Sequence, residues 1–274
     1  MAKSNSEKIL PIGVFDSGIG GLTVANALTR HLPHEEIIYF GDTAHMPYGE
    51  KSADAIRYYC LKIVKFLLEK NCKIIVIACN SATATAFDAM LDFFGSQVPF
   101  INVIDPLVEE IGRLDFQKVG IIGTKATISS GSYERKLQAL APQLNISSLA
   151  TPLLAPMIEE GFFDNNISHT VIDNYLSHSS LENIDALLLA CTHYPLIRTE
   201  IENYYCGAVK IFDSTDLIAK AARQLLVEKN LLNPISQTLP KHQFFVSDYT
   251  PSFEQTTQYF YKNKNIRLEY LPIW

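Results

Sequence analysis

Along the chain, short apolar runs rich in β-branched residues alternate with longer stretches in which apolar residues recur every three or four positions. The short runs, bounded by Gly, Asp or Asn, read as strands; the longer stretches read as amphipathic helices. Their alternation is the signature of parallel α/β units. A first strand is predicted over 12–16, followed by the loop Ser17-Gly18-Ile19-Gly20-Gly21 and a helix to about residue 32. A second strand, 37–40, ends at Gly41-Asp42-Thr43. The loop 44–50, with Pro47 and Gly49, breaks the chain before a helix over about 52–70. Residues 73–78 read as a buried strand that ends at Cys79-Asn80-Ser81 and opens a helix to about residue 94; a strand over 100–104 closes the series.

A similar series follows. Strands are predicted over 119–123, 146–150 and 185–190, with Thr124–Thr127 and a helix near 130–140 after the first and a helix over 166–178 before the last. The last strand ends at Cys191-Thr192-His193. After 209–212 come a helix over about 216–229 and a tail, 243–270, that reads as strand, helix and short strand. Cys79 lies 63 residues after Asp16, and Cys191 lies 68 after Gly123. Two strand-end cysteines at matching places point to an internal pseudo-repeat, with a period too long for a solenoid. Only 230–241 resembles a linker. The expectation is therefore two α/β lobes that share the tail.

Composition narrows the class. A chain of 274 residues, 47% hydrophobic and 19% charged, can bury a sizeable core and fits two domains or one large one. With 23 Lys+Arg against 29 Asp+Glu the formal charge is −6, which argues against a broad nucleic-acid surface and leaves small anions open. Residues 1–11 are polar without a signal peptide's apolar stretch, and the longest apolar runs, six residues, fall far short of a membrane span. A cytoplasmic protein with no membrane partner is expected. Five cysteines, odd in number and without a CxxC pair, favour neither a disulfide framework nor a zinc knuckle, so reduced thiols are expected.

Cys79 and Cys191 lead the candidate chemistry. Each follows a buried strand and precedes hydroxyl and amide residues that open a helix, and open α/β sheets bind ligands beyond the carboxyl ends of their strands. A helix N-terminus also favours the thiolate. Cys60, Cys72 and Cys206 read as buried structural cysteines. The Asp16–Gly21 turn has two compatible readings, a close backbone approach to an anion or a tight turn capped by Asp16 or Ser17; its spacing is not a nucleotide fingerprint. His193, two residues after Cys191, is either a satisfied structural histidine or an acid–base partner, and it lacks nearby co-ligands for a metal. Pro47-Tyr48-Gly49 reads first as a turn, Asp42-Thr43 as a cap, and Glu159-Glu160-Gly161 as a helix end.

With Asp16-Ser17-Gly18, Asp42-Thr43, Pro47-Tyr48-Gly49, Ala78-Cys79-Asn80-Ser81-Ala82 and Ala190-Cys191-Thr192-His193-Tyr194-Pro195 in this order, the sequence closely resembles the glutamate racemase family, from about residue 12 to about 229. Through it, the chain resembles the wider cofactor-independent aspartate/glutamate racemase superfamily. The resemblance implies two pseudo-symmetric parallel-sheet α/β lobes with the active site between them: residues 9–103 with 213–274, and residues 104–212. It implies interconversion of L- and D-glutamate for peptidoglycan synthesis in the cytoplasm, without pyridoxal phosphate or metal, and commonly a homodimer. It makes Cys79 the base for D-glutamate and Cys191 the base for L-glutamate, with Asp16 and His193 as their proton-holding neighbours. Ser17, Tyr48, Gly49, Asn80, Ser81 and Thr192 would hold the substrate carboxylates, with Asp16 and His193 also near the substrate. Asp42 and Glu159 would orient the ammonium group or His193. Ser81 stands where many members carry Thr, and His45-Met46 where an Arg is common. A racemase for aspartate or another amino acid, and a non-enzymatic binder of small anions, are the alternatives.

Overall fold

The computed structural model describes residues 9–235, 238–261 and 266–274. The N-terminal stretch before residue 9, and residues 236–237 and 262–265 of the connection and the tail, lie outside it. The first series is β1 (Ile12–Asp16), α1 (Leu22–His31), β2 (Ile37–Gly41), α2 (Ala53–Glu69), β3 (Ile74–Ile77), α3 (Asn80–Phe94) and β4 (Phe100–Asn102). Helix α4 (Asp105–Gly112) leads to the second series: β5 (Lys118–Gly123), α5 (Lys125–Ser129), α6 (Ser132–Leu140), β6 (Asn145–Ala150), α7 (Leu154–Glu159), α8 (Asn166–Leu176), β7 (Ala186–Ala190), α9 (Arg198–Tyr204) and β8 (Lys210–Phe212). The chain ends with α10 (Thr215–Glu228), β9 (Gln243–Val246), α11 (Pro251–Phe260) and β10 (Leu268–Tyr270).

The strands form two sheets, in the orders β10-β9-β2-β1-β3-β4 and β6-β5-β7-β8, and every pairing among the described residues is parallel. Without the two tail strands the orders coincide: second, first, third, fourth strand of each series. The pseudo-repeat read from two cysteines is thus a repeat of topology. Cys79 and Cys191 each follow the third strand of their sheet.

Parallel sheets covered on both faces need strands that are apolar throughout, and β1 and β3 meet this requirement. Ile12, Val14, Ile74 and Val76 point into a core shared with the second sheet, where they join Ile121, Leu188 and Leu189. Their alternates Phe15, Ile75 and Ile77 point the other way, onto Ile56, Ile63 and Leu67 of α2. The connection after α10 is anchored by Lys73, whose buried ammonium pairs with Glu35 at 2.5 Å and donates to Leu231 O and Asn233 Oδ1.

Two helices are added to the sequence reading, and one of its readings is corrected. Residues 105–112 are a helix, α4, started by Asn102 Oδ1 accepting from Ile104 and Asp105 N–H at 2.9 Å. The helix expected near 130–140 is α6, and a short helix not expected from the sequence, α5, precedes it, the two separated at Gly131, whose φ of +62° interrupts the helical backbone. Cys206 is exposed, in the left-handed turn after α9, and is not a core cysteine. No helix among the described residues is long and apolar enough to cross a membrane.

Candidate active site

The carboxyl ends of the two sheets meet around a narrow cavity lined by Ser17, Met46, Pro47, Tyr48, Gly49, Cys79, Asn80, Ser81, Thr124, Ala155, Glu159, Cys191, Thr192 and His193. Its volume, about 30 Å³, is on the scale of one water molecule. Both strand-end thiols line it, Cys79 at 4% and Cys191 at 7% exposure.

Cys79 is the N-cap of α3. Its Sγ accepts from Ala82 N at 3.3 Å and donates to Ser17 Oγ at 3.5 Å. The Ala82 N–H, as expected at a helix start, and the Ser17 hydroxyl when turned to donate to the sulfur both favour the thiolate. Burial outweighs them: desolvation first, then the Asp16 carboxylate, push the thiol up to about 12. Cys191 differs. The residues after it form a single 3-10 turn, Tyr194–Ile197, before the seven-residue α9, so the long helix start expected there is absent. Its neighbour is an imidazole, with Sγ 3.6 Å from His193 Nδ1.

His193 is buried between that thiol and Glu159, whose Oε1 lies 2.7 Å from Nε2. Burial disfavours the imidazolium, but Glu159 and Cys191 together overcome it and hold His193 well above the ordinary imidazole value. Phe260 of α11 packs edge-on at 5.2 Å. Asp16, fully buried at the end of β1, accepts from Gly18 N at 3.0 Å and from Thr192 Oγ1 at 3.5 Å across the two sheets. Burial raises its carboxyl above the usual range, against the pull of His193 and the Gly21 and Gly18 N–H groups.

The glycine turn makes this approach possible. A Cβ on Gly20 would stand 2.4 Å from His193 Cε1 and 2.6 Å from Thr192 Oγ1. The close backbone approach read from the sequence is thus an approach to the other sheet's cysteine loop. Further cross-sheet contacts follow. Ser81 Oγ lies 2.8 Å from Thr124 Oγ1, Tyr133 Oη donates to Asn80 Oδ1 at 2.8 Å, and Thr23 Oγ1 donates to Thr192 O at 3.3 Å. Asn80 Nδ2 is buried and unpartnered in the cavity wall, a donor waiting for an acceptor.

Of the residues singled out from the sequence, only Asp16 and Asp42 do not line the cavity. Asp16 supports it from behind. Asp42 is buried under Tyr48, which donates to its Oδ2 at 2.6 Å, and it meets neither His193 nor the thiols among its hydrogen-bond partners. Sequence reasoning missed Thr124, Met46 and Ala155 as lining residues. Thr124 had a signal: it follows β5 as Ser17 follows β1, one position past the strand end in the matching place of the repeat.

With the geometry in view, the family follows. The family model for Asp/Glu/Hydantoin racemase matches residues 22–222, and the chain belongs to that family of isomerases. A glutamate racemase from Syntrophus aciditrophicus is 40% identical over 257 residues, covering 93% of this chain and 94% of that one. The crystal structure of glutamate racemase from Francisella tularensis in complex with D-glutamate superposes with a TM-score of 0.90 at 38% identity, over 97% of this chain and 98% of that one. Aspartate racemase from Picrophilus torridus, at 21% identity and a TM-score of 0.59, over 82% of this chain and 100% of that one, shares the fold.

Proposed function

We propose that this chain interconverts L- and D-glutamate by moving protons at Cα between Cys79 and Cys191, supplying D-glutamate for peptidoglycan in the cytoplasm. The observation that carries the reading is that two buried thiols, one from each sheet, line a single cavity whose wall also holds the orphaned amide donor of Asn80. The relatives reported above, named for glutamate and similar over almost the whole chain, support the substrate. The lobes would be residues 9–103 with 213–274, and residues 104–212.

Inversion at Cα requires that one face lose a proton and the other gain one. With L-glutamate, the Cys191 thiolate takes the α-proton and becomes a thiol. Cys79, starting as a thiol, gives its proton to the opposite face of the carbanion and becomes a thiolate. D-glutamate runs the steps backwards. Charge developing on the α-carboxylate is met by neutral donors, Asn80 Nδ2 and the Ser17, Ser81 and Thr192 hydroxyls, which need no reorganisation as charge builds, while the Tyr48-Gly49 backbone holds the substrate in place. Each turnover leaves the thiols in exchanged protonation states. His193 beside Cys191 and Asp16 behind Cys79, both held above their ordinary values by their surroundings, are the groups that return or remove those protons. A thiol pushed to about 12 also needs help to ionise, and the substrate ammonium supplies the opposite charge.

The test is proton NMR of L-glutamate in D₂O with purified protein and no added cofactor, with L-aspartate in parallel. Loss of the glutamate α-proton signal, abolished in Cys79→Ser and Cys191→Ser, is the expected result. Exchange of aspartate alone would move the assignment to an aspartate racemase. A folded protein that binds glutamate and exchanges neither would make it a binding protein.

A further inference from the structure

The cavity wall formed by residues 46–49 is held from behind by residues the reaction above does not use. Tyr48 commits its hydroxyl to Asp42 Oδ2. The Asp42 carboxylate, fully buried, takes two further contacts: Ser247 Oγ donates to Oδ1 at 2.7 Å, and His45 Nδ1 lies 2.8 Å from the same oxygen. Ser247 follows β9 in the C-terminal segment, and its Oγ also accepts from Ala44 N at 2.9 Å. Next to it, Asp248 N donates to Thr43 Oγ1 at 2.8 Å, and that hydroxyl donates back to Asp248 O at 2.5 Å. The tail thus grips residues 42–44 at three points.

The final residue adds a fourth. The His45 ring stacks on Tyr59 at 4.1 Å between centroids, with planes 22° apart, and Trp274 meets it edge-on at 4.5 Å. Trp274 also meets Tyr59 edge-on at 5.3 Å, and Tyr59 lies 5.8 Å from Tyr48. Leu271 N donates to Val246 O at 2.9 Å, and Leu271 and Ile273 pack on the apolar cluster that contains Tyr48 and Cys79, which fixes the path of the last residues. The indole is thus aimed at His45 although Trp274 itself is 41% exposed.

Resting on the racemase reading above, we infer that Trp274 and His45 are positioning residues for the reaction. Trp274 backs the His45 ring, His45 and Ser247 fix the Asp42 carboxylate, and Asp42 holds Tyr48 and the cavity wall that meets the substrate carboxylate. The wall binds substrate and transition state alike, so loosening it raises KM and leaves kcat nearly unchanged.

Steady-state rates with each glutamate enantiomer test this on the full chain. In Trp274→Ala, loss of one edge-to-face contact raises KM for both enantiomers by about 2- to 10-fold, with kcat retained and the melting midpoint unchanged. Trp274→Phe, which keeps a ring edge, restores most of the KM. In a His45→Ala background, Trp274→Ala has little further effect, because its influence passes through that ring. Unchanged KM in Trp274→Ala overturns the inference. So does a raised KM that follows a lowered melting midpoint and is not rescued by Phe, and so do fully additive effects of the two alanine substitutions. The two readings fail separately: a wild-type protein that leaves the α-proton of glutamate in place sinks the racemase reading, whereas an active wild type with an indistinguishable Trp274→Ala sinks this one.

Discussion

In the proposed reaction, Cys79 and Cys191 share one task from unlike surroundings. Cys79 has a helix start and a neighbouring carboxylate; Cys191 has an imidazole whose pKa Glu159 helps to raise. Replacing either thiol by a hydroxyl removes an acid–base group and lowers kcat by about 100- to 10,000-fold. Because enantiomers are equal in free energy, kcat/KM falls by the same factor in both directions; circular dichroism started from each enantiomer reads both. Glu159 carries a second prediction, on stability. His193 is raised in the folded protein, so its protonation stabilises the fold fully below the ordinary imidazole value of about 6.5, and this contribution is lost as pH rises through the raised one. Glu159→Gln therefore lowers the melting midpoint most in mildly acidic solution and least in alkaline solution. An equal loss at every pH would show that the pair contributes only a neutral hydrogen bond.

At the scale of elements, the turn between β1 and α1 is where the two sheets approach each other across bare backbone. Gly20→Ala places a methyl group 2.4 Å from His193 Cε1, which forces the cysteine loop away. We expect a kcat loss of at least about tenfold with a lowered melting midpoint, since overpacking costs typically 1–3 kcal/mol. Gly161→Ala, whose Cβ meets nothing within 4 Å, carries only the strain of φ +78° and leaves kcat intact. The same elements show what could be read in advance. Strands β1, β3, β5 and β7 are short apolar runs with clear ends, and their period placed both cysteines. Helix α4 was missed because it begins three residues after a strand and hides its apolar face, Leu107, Val108 and Ile111, behind a Pro at its first turn. Helix α7 carries Pro156, which reads as a breaker, yet Pro156 sits in the first turn, where no N–H partner exists anyway. Asp42 was legible as a residue of interest but not in its contacts, since Ser247 lies 205 positions away. Trp274 gave no signal: its meaning comes from His45, and only the folded chain brings them together.

For the whole molecule, the enclosure sorts the thiols by reach. In the native protein a small thiol reagent modifies exposed Cys206 first, while Cys79 and Cys191 react only as fast as the sheets separate, and saturating glutamate slows them further. Peptide mass mapping against time follows each site; equal rates at Cys191 and Cys206 would contradict the closed arrangement. The closure also bears on inhibitors. A cavity of about 30 Å³ cannot receive a molecule the size of an amino acid, so a competitor binds only molecules whose cavity has opened. Its apparent dissociation constant is the intrinsic one divided by that open fraction, so each tenfold rarity of the open form weakens it tenfold, about 1.4 kcal/mol. A substitution that tightens the Ser81–Thr124 or Tyr133–Asn80 contact would lower that fraction and weaken inhibitor and glutamate by the same factor, so KM would rise in step with the inhibitor's constant.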